Sequence, residues 1–389
     1  MELELWYLIV IPIVFAAGWF ARSFDQKENQ SASDETKTLY KGVDLLLSNK
    51  TDQAIDSFMN LVKIDPDTIE MHFSLGTQFR RRGQFDRAIR IHNHLANRGD
   101  LAKNIHARAL YELGEDYLKA GLWDRAEAKF KEVAQVESDH RIEAIRRLVF
   151  IYESEKEWQK AIDEAVVLEG VSGEMMPGRI GHLNCELAED AQRKGDLDKA
   201  NEYVQRALEL DPKHKRALIL SGDFKARAGD LNGAIEAWVK VGEIDSDYEA
   251  LVIEKVAGAL VATDQLEQTI RYLENIAEKG RNVDELTSAV SMLAKIKSPQ
   301  VAIEYLQNSL RKRPSLLGFL RLLQLNHEME PHNKEMDELA KLMKQQVDKV
   351  ARYQCGKCGF ATTKFQWLCP GCRQWESMPP IRREKIGSK

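Results

Sequence analysis

The sequence predicts an all-α protein in three parts: one N-terminal transmembrane helix, a long solenoid of helical hairpins, and a small C-terminal ribbon organised by four cysteines. Three observations lead to this prediction: an uncharged N-terminal stretch, an internal repeat, and a pair of Cys-x2-Cys motifs. The chain has 389 residues, of which 43% are hydrophobic and 30% are charged. This composition is too apolar for a disordered protein, and the length exceeds that of one small domain.

The N-terminal part is predicted to anchor the chain in a membrane. No charged side chain lies between Leu5 and Ala21. As a helix with a rise of 1.5 Å per residue, this stretch would span about 26 Å, slightly less than a hydrocarbon core of roughly 30 Å. Aromatic residues lie near both ends, where their rings favour the membrane interface. A buried soluble helix is the alternative, and the acidic start argues against a cleaved signal peptide. We predict an anchor over residues 1–22.

The charges beside this anchor predict its orientation. No Lys or Arg precedes the stretch, whereas Arg22, Lys27, Lys37 and Lys41 follow it. By the positive-inside rule, the C-terminal body then lies on the cytoplasmic side. Residues 23–37 are polar and are predicted to form a flexible linker between the membrane and the body.

A repeated motif organises the middle of the chain. Segments that begin at Leu75 and Leu113 both read Leu-Gly-x2-aromatic-x3-Gly-x4-Ala. The final residue of the motif recurs every 33 to 39 residues, at Ala54, Ala88, Ala126, Ala161, Ala200, Ala234, Thr269 and Ala302. A period near 34 with this pattern is typical of the tetratricopeptide repeat, a helix-turn-helix unit. We therefore predict a tetratricopeptide-repeat superhelix over residues 38–350, with eight units and a capping helix pair over 315–350.

The residue types within the motif have physical reasons. The first glycine allows the partner helix to approach closely, and the second ends the first helix in a left-handed cap. Stacked hairpins of this kind form a concave groove that binds proteins or peptides. Residues opposite the Leu-Gly-aromatic stripe are predicted to line that groove and contact partners: Thr77, Arg80, Arg81, Glu115 and Lys119.

Four of the five cysteines lie in two Cys-x2-Cys motifs near the C-terminus, at Cys355, Cys358, Cys369 and Cys372. Four thiolates in two such turns suit tetrahedral coordination of one Zn or Fe ion. Two disulfides are the alternative, but they require an oxidising compartment. Because the predicted body faces the cytoplasm, we predict a metal-binding ribbon over residues 351–389, and the spacing does not separate zinc from iron.

The charge of this ribbon differs from that of the whole chain, which has a net charge of −5. Residues 350–389 contain eight basic and two acidic side chains. A basic ribbon can bind nucleic acid, or it can dock on its own acidic solenoid or on an acidic partner. The large apolar surface that Phe360, Phe365, Trp367 and Trp375 give to so small a segment favours docking.

No motif in the sequence indicates catalysis. The Gly-x4-Gly-Lys-Ser/Thr, His-Glu-x2-His and Gly-x-Ser-x-Gly patterns are all absent from it. The nine histidines are scattered, and we expect His92 and His94 to be surface or packing residues. We expect Cys185 to be a small buried side chain. We expect a binding protein and not an enzyme.

The combination of anchor, repeats and four-cysteine tail resembles the bacterial lipopolysaccharide assembly protein B family over the whole chain. The tail "YQCGKCG…WLCPGCRQWESM" is also similar to rubredoxin knuckles. The resemblance implies an inner-membrane adaptor that regulates lipopolysaccharide synthesis. Its implied partners are a membrane AAA+ protease, the lipid A deacetylase of the committed step that this protease degrades, and other lipopolysaccharide synthesis or transport proteins. The resemblance also implies that the four cysteines are the metal ligands. The alternative is a zinc-ribbon nucleic-acid-binding protein or an iron redox protein.

Overall fold

The computed structural model describes residues 37, 40–45, 47–48, 50–59, 66–279, 282–329, 334–349 and 352–380. The predicted anchor, and all of the predicted linker except Lys37, lie outside these residues. Among the helices that are described, none is long and apolar enough to cross a bilayer. The chain divides into two compact units, Met1–Glu174 and Met175–Lys389.

The first unit contains consecutive helices joined by short turns. They are α1 (Thr51–Met59), α2 (Pro66–Arg81), α3 (Phe85–Ala96), α4 (Lys103–Lys119), α5 (Trp123–Ala134), α6 (Arg141–Glu155) and α7 (Trp158–Ser172). From α2 onward, each helix packs against the next, so that α2–α3, α4–α5 and α6–α7 form stacked hairpins.

The second unit continues the same pattern and ends in the ribbon. Its helices are α8 (Pro177–Arg193), α9 (Leu197–Leu210), α10 (Lys215–Arg227), α11 (Leu231–Ile244), α12 (Ile253–Ala262), α13 (Leu266–Lys279), α14 (Val283–Ile296), α15 (Pro299–Lys312), α16 (Leu316–Met329) and α17 (Lys334–Lys349). A 3₁₀ helix, Ser246–Leu251, precedes α12, and the ribbon contains the strands β1 (Tyr353–Gln354) and β2 (Ala361–Thr362).

The repeat residues that the sequence identifies lie at the tightest points of the hairpins. All eight, from Ala54 to Ala302, have an exposed fraction of 0%. Thr269 is accommodated because its hydroxyl donates a hydrogen bond to the Gln265 carbonyl at 2.9 Å. The predicted tetratricopeptide-type helical architecture is confirmed.

The first glycine of the motif leaves room for a large side chain from the second helix of the hairpin. A Cβ atom added to Gly114 would lie 2.7 Å from the Phe130 ring, closer than carbon atoms approach. The same close approach pairs Gly76 with His92 and Gly222 with Trp238. Where the motif has Ala188 in place of glycine, the facing residue is the smaller Val204, and both are fully buried. The two positions therefore compensate each other in size.

The second glycine closes the first helix in a left-handed conformation, as predicted. Gly83, Gly121, Gly195 and Gly229 have φ angles between 73° and 88°. Two repeats without a glycine at this point adopt the same conformation. Lys156 has a φ of 61° and Asp264 a φ of 58°. The left-handed conformation is unfavourable in free energy for a residue with a Cβ atom, and less so for Asp than for Lys.

Glycine at these two caps should therefore stabilise the protein. We expect Lys156→Gly to raise the free energy of unfolding by about 1 kcal/mol and Asp264→Gly by less, since a left-handed cap costs a non-glycine residue roughly that amount and Asp tolerates it better. Urea denaturation followed by circular dichroism measures both changes. Gly121→Ala is the matched reverse substitution and should lower stability. Equal stability of Lys156→Gly and the unsubstituted protein would contradict the argument.

Candidate metal centre

Two tight backbone turns position the four cysteines. In the first turn, the Gly359 N–H donates to the Cys355 carbonyl at 3.0 Å, and in the second the Arg373 N–H donates to the Cys369 carbonyl at 2.8 Å. The residue after each Cys-x2-Cys motif is left-handed, with a φ of 77° at Gly359 and 55° at Arg373. The antiparallel pairing of Tyr353 with Thr362 joins the two ends of the first turn. The two turns are thus local, near-equivalent knuckles.

The sulfur positions fit a single tetrahedral metal ion. Cys355 Sγ lies 3.7 Å from Cys372 Sγ, and Cys358 Sγ lies 3.7 Å from Cys369 Sγ. All four sulfurs lie within 4.8 Å of one another. A metal–sulfur bond of about 2.3 Å gives a tetrahedron with edges of about 3.8 Å, whereas a disulfide requires about 2.05 Å. The four cysteines therefore cluster as a possible metal site, which suits Zn²⁺ or one Fe ion equally in geometry.

The protonation of these thiols supports a cation at the site. Desolvation opposes ionisation of Cys355, but hydrogen bonding with Ser377 and with the backbone N–H groups of Cys358 and Lys357 lowers its pKa to about 6. A backbone N–H from Gln374 favours the Cys372 thiolate, yet desolvation and the other thiols raise its pKa to about 12. Four neighbouring thiolates need a positive charge between them, which a divalent metal ion supplies.

The ribbon packs its aromatic side chains against the helical part of its own unit. Trp367 stacks on Tyr248, with ring centroids 5.4 Å apart, and Trp375 stacks on His182 at 4.6 Å with the planes 8° apart. Phe365 joins Trp367 against the buried cluster around Tyr248. The interpretation that the ribbon docks on its own solenoid is confirmed.

The charges at this interface are the reverse of those expected. We expected a basic ribbon to meet an acidic solenoid, but the residue in contact is Glu376, a ribbon acid. Its carboxylate lies 2.8 Å from Lys215 Nζ and 3.2 Å from His182 Nε2. Desolvation raises the pKa of the Glu376 carboxyl, but the hydrogen bonds and charges of His182 and Lys215 outweigh it and lower this pKa to about 2. Burial lowers the pKa of His182 to about 4, so the imidazole is neutral and donates its Nε2 proton to the carboxylate.

His182, His214 and Glu376 also lie close enough together to suggest a second metal site. The hydrogen bonds of His214 argue against it. His214 Nδ1 accepts from the Ala217 N–H at 3.2 Å, which places the ring proton on Nε2, 3.2 Å from the Gly178 carbonyl. A protonated Nε2 cannot bind a metal. Because Lys215 already neutralises Glu376, this group is a docking contact.

The residues predicted to contact partners all lie in the first unit. Arg81 and Lys119 are exposed, and Thr77 is half-buried. Arg80 forms ion pairs across the repeat boundary with Glu112 at 2.6 Å and Asp116 at 2.9 Å. Glu115 is buried and pairs with Arg147 of the next hairpin at 2.5 Å. Their contact with a client stays a prediction, but Arg80 and Glu115 also join neighbouring repeats.

Cys185 is buried as expected, and of the two histidines His92 is buried and His94 is half-buried. Cys185 has an exposed fraction of 0%, and burial raises the pKa of its thiol to about 12. His92 is equally buried, and its Nδ1 lies 2.5 Å from a carboxylate oxygen of Asp116. Spacing along the chain could not predict this contact, because the two residues lie on different repeats.

Comparisons with known proteins agree with both parts of the structure. Residues 353–380 match the family model described as a rubredoxin metal binding domain, and residues 185–248 match a tetratricopeptide-repeat model. Lipopolysaccharide assembly protein B of Escherichia coli (strain K12) is 32% identical to this chain over 98% of each protein. The chain belongs to the lipopolysaccharide assembly protein B family.

A second full-length relative supports the family assignment, whereas a solved repeat structure is too dissimilar to support it. Lipopolysaccharide assembly protein B of Haemophilus influenzae is 28% identical over 98% of this chain and 99% of the relative. A solved structure, the TPR2AB-domain:pHSP90-complex of yeast Sti1, is 16% identical and covers 71% of this chain and 97% of that chain, with a TM-score of 0.34. That similarity is too low to argue from, so the family assignment rests on the full-length relatives.

The interface predicts how docking changes with pH. His182 ordinarily has a pKa of 6.5 but about 4 when buried under the ribbon. As the pH falls below 6.5, the undocked state gains a proton that the docked state excludes, so docking weakens, by about 1 kcal/mol at pH 5.5. Glu376 adds a second loss below its ordinary pKa of 4.5. At neutral pH both contributions are fully present.

Fluorotryptophan labelling with ¹⁹F NMR measures this dependence, because Trp367 and Trp375 report the docked population and are assigned by Trp→Phe substitution. We expect the undocked population to rise between pH 7.5 and 5.5, with metal content followed in the same samples. His182→Gln is the control and should be nearly flat over this range. An equal pH dependence in both proteins would assign the effect to another group.

Proposed function

We propose that this protein is a membrane-tethered adaptor that binds client proteins through its helical repeats and regulates lipopolysaccharide synthesis. In this proposal it presents a client, the lipid A deacetylase of the committed step, to a membrane AAA+ protease. It acts without catalysing a reaction itself. The observation that carries the proposal is the combination of stacked repeat hairpins with a four-cysteine ribbon in a chain that aligns with lipopolysaccharide assembly protein B over nearly its full length.

The ribbon has a structural role in this proposal. Its metal ion, Zn or Fe, is held by Cys355, Cys358, Cys369 and Cys372. The two sulfurs on the outer side, those of Cys358 and Cys372, belong to exposed residues, whereas Cys355 and Cys369 are buried. The ribbon's aromatic rings lie against the repeats, which supports a part that organises the protein in preference to a nucleic-acid-binding module.

The first unit supplies the surface proposed for the client. Arg81 and Lys119 extend from the ends of α2 and α4 and are exposed. Charge reversal at these two positions tests client binding without breaking a repeat contact. Charge reversal at Arg80 would instead leave Asp116, whose side chain has an exposed fraction of 0%, without this partner.

The tether contributes through concentration. If residues 1–22 confine the adaptor to the membrane that holds its partners, a linker of about a dozen residues raises the effective concentration toward the millimolar range. Small residues in the anchor, among them Gly18, favour close packing against another transmembrane helix.

A complementation experiment tests the adaptor proposal. Cells that lack the native protein receive the full chain, a soluble body that begins at Thr38, or that body fused to an unrelated anchor of the same orientation. We expect the full chain to restore normal deacetylase turnover, measured by pulse-chase, and the soluble body to fail. Rescue by the unrelated anchor would show that tethering suffices.

The double variant Arg81→Glu and Lys119→Glu should reduce turnover, with Lys240→Glu on the second unit as the control. Normal turnover in the absence of this protein would refute the proposal.

A further inference from the structure

The ribbon occupies the surface on which a repeat protein of this kind ordinarily binds a ligand. His182 lies on α8, Lys215 begins α10, and Tyr248 lies in the 3₁₀ helix before α12. The helices α8 and α10 are the first helices of two successive hairpins, and the 3₁₀ helix leads into α12, the first helix of the next hairpin. First helices line the concave side of a tetratricopeptide array. The ribbon therefore covers one stretch of that side within the second unit.

The ribbon inserts a small and specific set of groups there. Trp367 and Trp375 place flat rings on Tyr248 and His182, and the Glu376 carboxylate lies between Lys215 and His182. The Leu368–Trp375 bridge and the hydrogen bond from the Glu376 N–H to the Trp367 carbonyl keep these groups together. The chemistry that the surface recognises is an aromatic ring adjoining a carboxylate.

The three residues of this surface all belong to the repeats, which also supply further contacts to them. His214, beside His182, is fixed by the Ala217 N–H and the Gly178 carbonyl. Lys215 Nζ lies 4.8 Å from the centre of the Tyr248 ring and 3.6 Å from a carboxylate oxygen of Asp245. The Lys215 cation and the Tyr248 ring are thus held by contacts within the repeats, and the His182 ring lies edge-on to the fixed His214 ring, with centroids 4.4 Å apart.

The ribbon itself is not an optimal ligand for this surface. Glu376 has a φ of 49°, a left-handed conformation that strains a residue with a side chain. The ribbon compensates by being part of the same chain, which gives it a high effective concentration. A separate segment with the same groups and a relaxed backbone would make the same contacts without this strain.

We propose that the surface formed by His182, Lys215 and Tyr248 is an exchangeable binding site, and that the ribbon is its tethered ligand. When the ribbon leaves, the site binds a protein segment that carries an aromatic side chain next to a carboxylate. This inference rests on the proposed adaptor function only in that such a segment would belong to a client or partner.

A peptide of the ribbon's own sequence is the probe that tests this site. It comprises residues 365–378 with serine at the two cysteine positions, and fluorescence anisotropy measures its binding to the full-length protein. In the metal-loaded protein the ribbon competes, so binding should be weak. Glu376→Lys leaves the four cysteines in place but repels Lys215, and we expect it to bind the peptide at least ~10-fold more tightly, because the competing tethered ligand is removed.

Two further variants locate the binding. Adding Lys215→Met to Glu376→Lys should weaken peptide binding at least ~10-fold, since the carboxylate loses its cation. Lys240→Met is the matched control, because this exposed lysine lies on α11, and it should change nothing. If ¹⁹F NMR shows that the ribbon stays docked in Glu376→Lys, the double variant Trp367→Ala and Trp375→Ala is used in its place. This variant releases the ribbon by removing its two stacking rings.

Three results would overturn the inference. They are equal peptide affinity for the loaded wild-type protein and the released variant, binding that is unchanged by Lys215→Met, and preferential binding of a single-stranded oligonucleotide in place of the peptide. No client takes part in this experiment. A negative result therefore leaves the adaptor proposal intact, and failure of the complementation experiment leaves the peptide result intact.

Discussion

The described part of the ribbon, residues 352–380, has almost no apolar core of its own, and this shortage makes the four-cysteine site the constraint on which the second unit's interface depends. Its own buried cluster consists of Cys355, Cys369 and Met378, with Tyr353 packed beside them. Two of these four residues belong to the metal site. A segment with so little apolar surface of its own cannot offset the entropy of ordering its chain, so a metal ion at the four cysteines would supply folding free energy in addition to the docking contacts. In the full-length protein, the two closed knuckles hold Trp367, Trp375 and Glu376 in the arrangement that the repeats contact.

The hairpins of the solenoid are stiff, so the surface that meets the ribbon loses little conformational entropy on docking. Glycine opposite a large facing residue tightens the hairpins at Gly76, Gly114 and Gly222, and left-handed caps close the turns from Gly83 to Asp264. Residues far apart in sequence thereby meet the ribbon in one place. Two aromatic stacks of this kind contribute about 0.5–1.5 kcal/mol each beyond their buried area. The Glu376 ion pair adds specificity more than stability, because desolvation offsets much of the attraction between partly buried charges.

The sequence predicted those features that depend on local spacing. The four clustered cysteines lie within one short segment, and the left-handed glycines follow directly from the repeat motif. The docking contact could not be predicted, since His182 and Lys215 are distant in sequence from Glu376 and the net charge of the ribbon indicated the opposite sign. The caps at Lys156 and Asp264 were also missed, because neither residue type marks a left-handed turn as glycine does. Likewise, helical spacing placed Arg80 on a face but gave no sign of its ion pairs with Glu112 and Asp116.

Hydrogen exchange of the full-length protein, with and without metal, tests most directly whether the four-thiolate site controls docking. The metal-loaded protein is compared with Cys355→Ser, and elemental analysis gives the metal content of each. Cys185→Ala, which removes a buried cysteine outside the ribbon, is the control. The account predicts about one metal ion per chain in the loaded protein and in the control, and little in Cys355→Ser. It predicts faster exchange in Cys355→Ser, both in the ribbon and around His182, Lys215 and Tyr248. Unchanged protection around these three residues after loss of the metal would contradict it.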